Sequence, residues 1–101
     1  MTTLQIESAS IEPLDVTIKS VGDPTSSLPS FQVTSLEITT PSGSWVNGTW
    51  DGTWDATTKR VNAVTPTIGA TGAGIEVGEG NYSLWIKWGT VVKLVGRLRV
   101  S

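Results

Sequence analysis

Apolar and polar residues alternate with a period of two along much of the chain, most cleanly over residues 80–101. Tyr82, Leu84, Ile86 and Trp88 fall on one side of an extended strand, and Ser83, Trp85 and Lys87 on the other. After Gly89 and Thr90 the return strand sets Val92, Leu94, Leu98 and Val100 on one face and Lys93, Arg97 and Arg99 on the opposite one. The pattern predicts a long β-hairpin whose second strand ends the chain inside a sheet. Upstream, Leu4 and Ile6 predict a short first strand, and Leu14, Val16 and Ile18 alternate with Asp15, Thr17 and Lys19 as a second. Residues 31–38 predict a third strand. Its apolar positions move from odd (Phe31, Val33) to even (Leu36, Ile38), the displacement that a β-bulge near Thr34 and Ser35 produces.

Between these runs lie breakers. Residues 21–30 form a loop whose prolines, Pro24 and Pro29, forbid a central strand. Residues 41–44 turn the chain into Trp45 and Val46, residues 48–55 continue as a strand, and residues 57–60 turn into a strand over 61–64. Residues 65–74, with Pro66, Gly69, Gly72 and Gly74, are expected to form an exposed loop before a short strand at Ile75 and Val77. No window carries a helical period of 3.6. The expectation is a single all-β domain over residues 1–101, of seven to eight short strands. At this length an immunoglobulin-like β-sandwich fits better than a small barrel.

Composition narrows the chemistry. At 101 residues the chain is long enough to bury about two-thirds of its extended surface. It has no cysteine, which removes disulfides, thiolate nucleophiles and cysteine-ligated metals. It also has no histidine, the usual general base and the commonest metal ligand. The expectation is therefore no enzyme and no cofactor. The start Met1-Thr2-Thr3-Leu4 lacks the basic and apolar regions of a signal peptide, and no segment approaches the ~20 apolar residues of a membrane span. A soluble chain without a membrane partner is expected, so the sequons at Asn47 and Asn81 are read as unglycosylated.

Net charge is −2, which speaks against nucleic acid as the principal partner. The distribution is uneven. Residues 1–58 hold seven acids (Glu7, Glu12, Asp15, Asp23, Glu37, Asp51 and Asp55) against Lys19 alone, and residues 59–101 hold six bases against Glu76 and Glu79. Opposite poles would dock copies head to tail. Alternatively, the two halves lie side by side and their charges pair weakly.

The sequence Gly48-Thr49-Trp50-Asp51 is repeated at once as Gly52-Thr53-Trp54-Asp55. Trp50 and Trp54 then share a strand face about 13 Å apart, either flanking a groove as in sugar-binding modules or building the core. Asp51 and Asp55 have the same separation, beyond the ~5–9.5 Å that paired glycosidase carboxylates require. They also lack the spacing of an EF-hand calcium loop. Residues 69–74 (Gly-Ala-Thr-Gly-Ala-Gly) match no phosphate loop. Trp85 stands beside Lys87, opposite the apolar face of its strand. If only that face is buried, Trp85 is an exposed interface anchor.

The run from Gly80 to Trp88, with Tyr82, Trp85 and Lys87, closes through Gly96-Arg97-Leu98-Arg99-Val100. It resembles the end of small immunoglobulin-like virion proteins of tailed phages, especially those of actinobacteria, where Gly-x-Tyr-x-Leu/Val-Trp-Val/Ile-Lys precedes a short hairpin and Gly-x-Leu-x-Val. Asp23-Pro24-Thr25 with Leu28-Pro29, and Trp45 with Trp50 or Trp54, are similar to the same family's Asp-Pro-Thr opening and paired tryptophans. The hairpin is also similar to that of the N-terminal domain of phage baseplate upper proteins. Where family members often carry Pro-Glu-x-Pro in the final hairpin, this chain has Trp88-Gly89-Thr90-Val91.

The resemblance implies a non-enzymatic virion component, assembled in the host bacterial cytoplasm and present in many symmetric copies. Its partners would be the major capsid protein or neck and tail proteins of the same particle. The residues expected to make contact are Trp85, Lys87, Trp50, Trp54, Asp23, Pro24, Thr25, Arg97 and Arg99. The competing expectation is a carbohydrate-binding or host-adhesion module using Trp50 and Trp54.

Overall fold

The computed structural model describes residues 3–6 and 11–101. They form ten strands and, among the described residues, no helix. The strands are β1 (Thr3–Ile6), β2 (Asp15–Lys19), β3 (Ser30–Ser35), β4 (Val46–Asn47), β5 (Thr49–Asp55), β6 (Arg60–Val64), β7 (Ile68–Gly69), β8 (Ile75–Glu76), β9 (Gly80–Trp88) and β10 (Val91–Val100). One sheet has the order β1-β10-β9-β3-β4, a second β2-β6-β5, and β7 pairs with β8. The count exceeds the seven to eight expected because two-residue strands are too short to show a period.

The inward residues of both large sheets meet in one core. Val16, Ile18, Val61 and Ala63 come from the three-stranded sheet, and Ile6, Phe31, Leu84, Ile86, Trp88, Leu98 and Val100 from the five-stranded one. Each large apolar side chain buried there contributes about 1.5–3 kcal/mol relative to exposure. Trp50 and Trp88 cross between the layers edge to face, with centroids 6.1 Å apart. Gly48 permits this closure: its N–H donates to the Pro29 carbonyl at 2.9 Å. A β-carbon at that position would lie 2.6 Å from the Phe31 ring and against the Val64 carbonyl.

The bulge expected near Thr34 and Ser35 is not there. β3 pairs with β9 in unbroken register from Ser30↔Lys87 to Ser35↔Tyr82. It then ends in a turn in which the Ile38 N–H donates to the Ser35 carbonyl at 3.2 Å. Leu36 and Ile38 are out of phase because the strand has stopped. The register shift falls instead in β10, between Leu94↔Trp85 and Gly96↔Leu84, leaving Val95 as the extra residue.

The shift corrects the face assignments of the hairpin. Leu98 and Val100 face the core, whereas Val92 and Leu94, 44% and 40% exposed, stand on the outer face with Trp85. Lys93 leaves the Arg97 and Arg99 side, reaches the Lys19 carbonyl at 2.9 Å and lies 5.7 Å from the Trp88 ring centre. Residues 65–74 are likewise not simply an exposed loop. Thr65 and Ile68 are buried, and Ile68 exchanges backbone hydrogen bonds with Glu12.

The first and last strands lie side by side. β1 runs parallel to β10 from Thr3↔Arg97 to Ile6↔Val100, and the Ser101 N–H donates to the Ile6 carbonyl at 3.0 Å. β1 stops at Arg97, so residues 91–95 of β10 have no strand along their outer edge among the described residues.

Candidate interaction surface

Alternation sends Gln5, Gln32, Thr34, Ser83, Trp85, Lys87, Val92, Leu94, Arg97 and Arg99 to the outer face of the five-stranded sheet. Among them Trp85 is half-buried and Leu94 exposed. The turn after β3 folds Leu36 and Ile38, both 40% exposed, up beside them. Together with Thr39, Ser83 and Arg97 these residues line a shallow hollow of about 270 Å³. The Trp85 indole N–H donates to the Thr34 hydroxyl at 2.9 Å, which fixes the ring across the strand pair. A ring already held in place loses little side-chain freedom when something docks on it.

The face is basic. Arg97 and Arg99 project from it opposite Ser83 and Asn81, and the Lys87 ammonium sits 5.2 Å from the centre of the Trp45 ring. No strand residue on this face is acidic. The acids closest in sequence are Glu37, in the turn between Leu36 and Ile38, and Glu79, which directly precedes β9 and lines a shallow hollow with Asn81 and Arg99. Of the contact residues expected from sequence, the fold therefore gathers Trp85, Lys87, Arg97 and Arg99. Leu36, Ile38 and Leu94 were missed; the phase change after Val33 was the available signal for Leu36 and Ile38, and nothing in the sequence marked Leu94.

The others lie elsewhere. Trp50 and Trp54 pack half-buried against the core and donate their indole N–H groups inward, to the Ser27 carbonyl at 2.7 Å and the Ser20 carbonyl at 3.1 Å. Between them Gly52 has φ +92° and the β5–β6 register shifts. Both rings brace the loop over residues 20–30 from beneath. Asp23, Pro24 and Thr25 form a turn in that loop. The Asp23 carboxylate accepts the Thr25 hydroxyl at 2.6 Å and its N–H at 2.9 Å, which lowers the Asp23 pKa, the hydroxyl being the larger cause. Pro24 is buried.

On the three-stranded sheet the outward side chains include Asp15, Thr17, Lys19, Arg60, Asn62, Asp51 and Asp55. Asp15 and Asp51 approach one another, and the Asp15 pKa is raised first by hydrogen bonding with Asp51, then by burial and by the Asp51 charge. Asp55 caps a turn, accepting the N–H groups of Thr57 and Thr58. In the glycine-rich loop the Gly72 N–H donates to Glu76 and that of Gly74 to the Thr67 hydroxyl. Those two amides are therefore occupied within the chain. Among the described residues, no three or more acids come together to hold a metal ion. No protein-family model, no curated protein and no solved structure matches this chain.

Proposed function

We propose that this chain is a non-enzymatic structural component of a tailed-phage virion. In this reading it is an immunoglobulin-like sandwich that attaches to the capsid shell or the head–tail neck through the outer face of its five-stranded sheet. The observation that carries the docking surface is the hollow of Leu36, Ile38, Trp85 and Leu94, an apolar patch with a pre-positioned aromatic ring and a basic rim. Patches of this make-up mark contact sites more often than catalytic ones. The virion context comes from the resemblance of the terminal hairpin and of Asp23-Pro24-Thr25. Two sheets closing on one core support the sandwich reading.

The test is quantitative peptide mass spectrometry on purified particles of the source phage. Copies near those of the major capsid protein support decoration, and a single ring's worth supports the neck. Absence from particles overturns the proposal; glycan-dependent quenching of tryptophan fluorescence would then favour the sugar-binding reading with Trp50 and Trp54. Trp85→Ala and Leu94→Asp are each expected to abolish incorporation while circular dichroism still shows a folded domain. Incorporation of both folded variants would exclude this face.

A further inference from the structure

We infer that the hollow on the five-stranded sheet receives a second copy of this chain, which presents the Asp15 and Asp51 end of its three-stranded sheet. The inference rests on the proposed role as a repeated particle component and names one of its partners. The socket carries Lys87, Arg97 and Arg99 on a strand face without a carboxylate, with Glu79 beside Arg99 only at its margin, ahead of β9. On the far side of the core, β2 and β5 bring Asp15 and Asp51 together across β6, beside the uncharged Thr17, Asn62 and Val64. The cations of that sheet, Lys19 and Arg60, face each other at its other end, next to Asp55. One end of the sheet is thus a doubly acidic patch without a cation of its own.

The two patches answer each other chemically. A guanidinium offers planar, paired donors to carboxylates, and one set between Asp15 and Asp51 would relieve their mutual repulsion. Leu94, Trp85, Leu36 and Ile38 beside Arg97 supply apolar area that charge pairing alone would lack. Because socket and plug lie on opposite sheets of the same chain, the contact is heterologous. Copies add head to tail and either close into a ring or run on as a filament. The sequence's acidic first half and basic second half thereby become spatial only in part, at one end of one sheet and across the face of the other.

Sedimentation velocity on the isolated full chain tests this without reference to particles. The expected result is reversible, concentration-dependent association at low ionic strength that weakens as salt is added. Arg97→Glu alone, or Asp15→Lys with Asp51→Lys, should each lower the association constant by roughly tenfold or more, and the triple variant should recover it. All these positions are exposed, so circular dichroism should show unchanged folding. A wild type that stays monomeric at every concentration and salt overturns the inference. So do folded variants that associate like wild type, or a folded triple variant that fails to recover. A monomer in solution that is nonetheless found in particles would leave the virion role standing with a different protein in the socket.

Discussion

The three tryptophans with assigned indole hydrogen bonds divide by where those bonds go. Trp50 and Trp54 donate to backbone carbonyls 23 and 34 residues away and so tie a loop to the core. Trp85 donates to a threonine side chain on the adjacent strand and leaves part of its ring to solvent. Residue type alone cannot distinguish these roles. Carboxylates separate in the same way. Asp15 is held above the ordinary carboxylate value by Asp51, so its proton binds more readily in the folded chain. That contribution to stability is present at low pH and fades as the pH climbs through the ordinary value and then the raised one. Asp23 has the opposite sign: held below the ordinary value by Thr25, its contribution is present at neutral pH and lost on acidification. Replacing Asp51 by Asn should bring the Asp15 pKa down toward the ordinary value. A carbon-detected NMR titration reads this directly, and an unmoved pKa would assign the shift to burial instead.

Among the elements, the strands with several alternating positions were legible: β2, β6, β9 and the second half of β10, from Gly96 on, follow the sequence pattern residue by residue. What was not legible depends on pairing. An inserted residue changes side-chain phase only relative to a partner strand, so the sequence of β10 hides Val95, whereas a strand that ends imitates a bulge, as at Leu36. The candidate surface inherits this. Trp85, Lys87, Arg97 and Arg99 could be read from parity, but Leu94 joins them only through the bulge and Leu36 and Ile38 only through the turn. Where the β1 ladder stops at Arg97, residues 91–95 remain as an open, largely valine edge, the kind of strand that recruits unwanted partners. Lys93 sits in its middle with its ammonium on the Lys19 carbonyl of β2. A charge drawn across an open edge is a recognised guard against edge pairing. Lys93→Val should leave the fold intact and promote β-rich aggregation, measured by light scattering and thioflavin fluorescence. A variant as soluble as the parent would remove that role from Lys93.

For the whole molecule, the decisive topological fact is that the first strand lies beside the last. β1 and β10 are far apart in sequence, yet their four residue pairs run in the same direction. The chain enters at the Thr3 end of this ladder and leaves past Val100 at the other. A pull on the two termini therefore slides the strands along one another, loading all four pairs at once instead of opening them in succession. Forced unfolding is governed by the barrier along the pulling direction, so the fold is expected to behave as a shear clamp. With handles at the two termini, single-molecule stretching should require a clearly higher force than with the first handle moved to Ile11. Ile11 follows the Ile6 end, where the same ladder would open one pair at a time. Equal forces in the two geometries would show that another part of the domain yields first. For a protein exposed to tension between its ends, the parallel seam makes mechanical strength a property of direction.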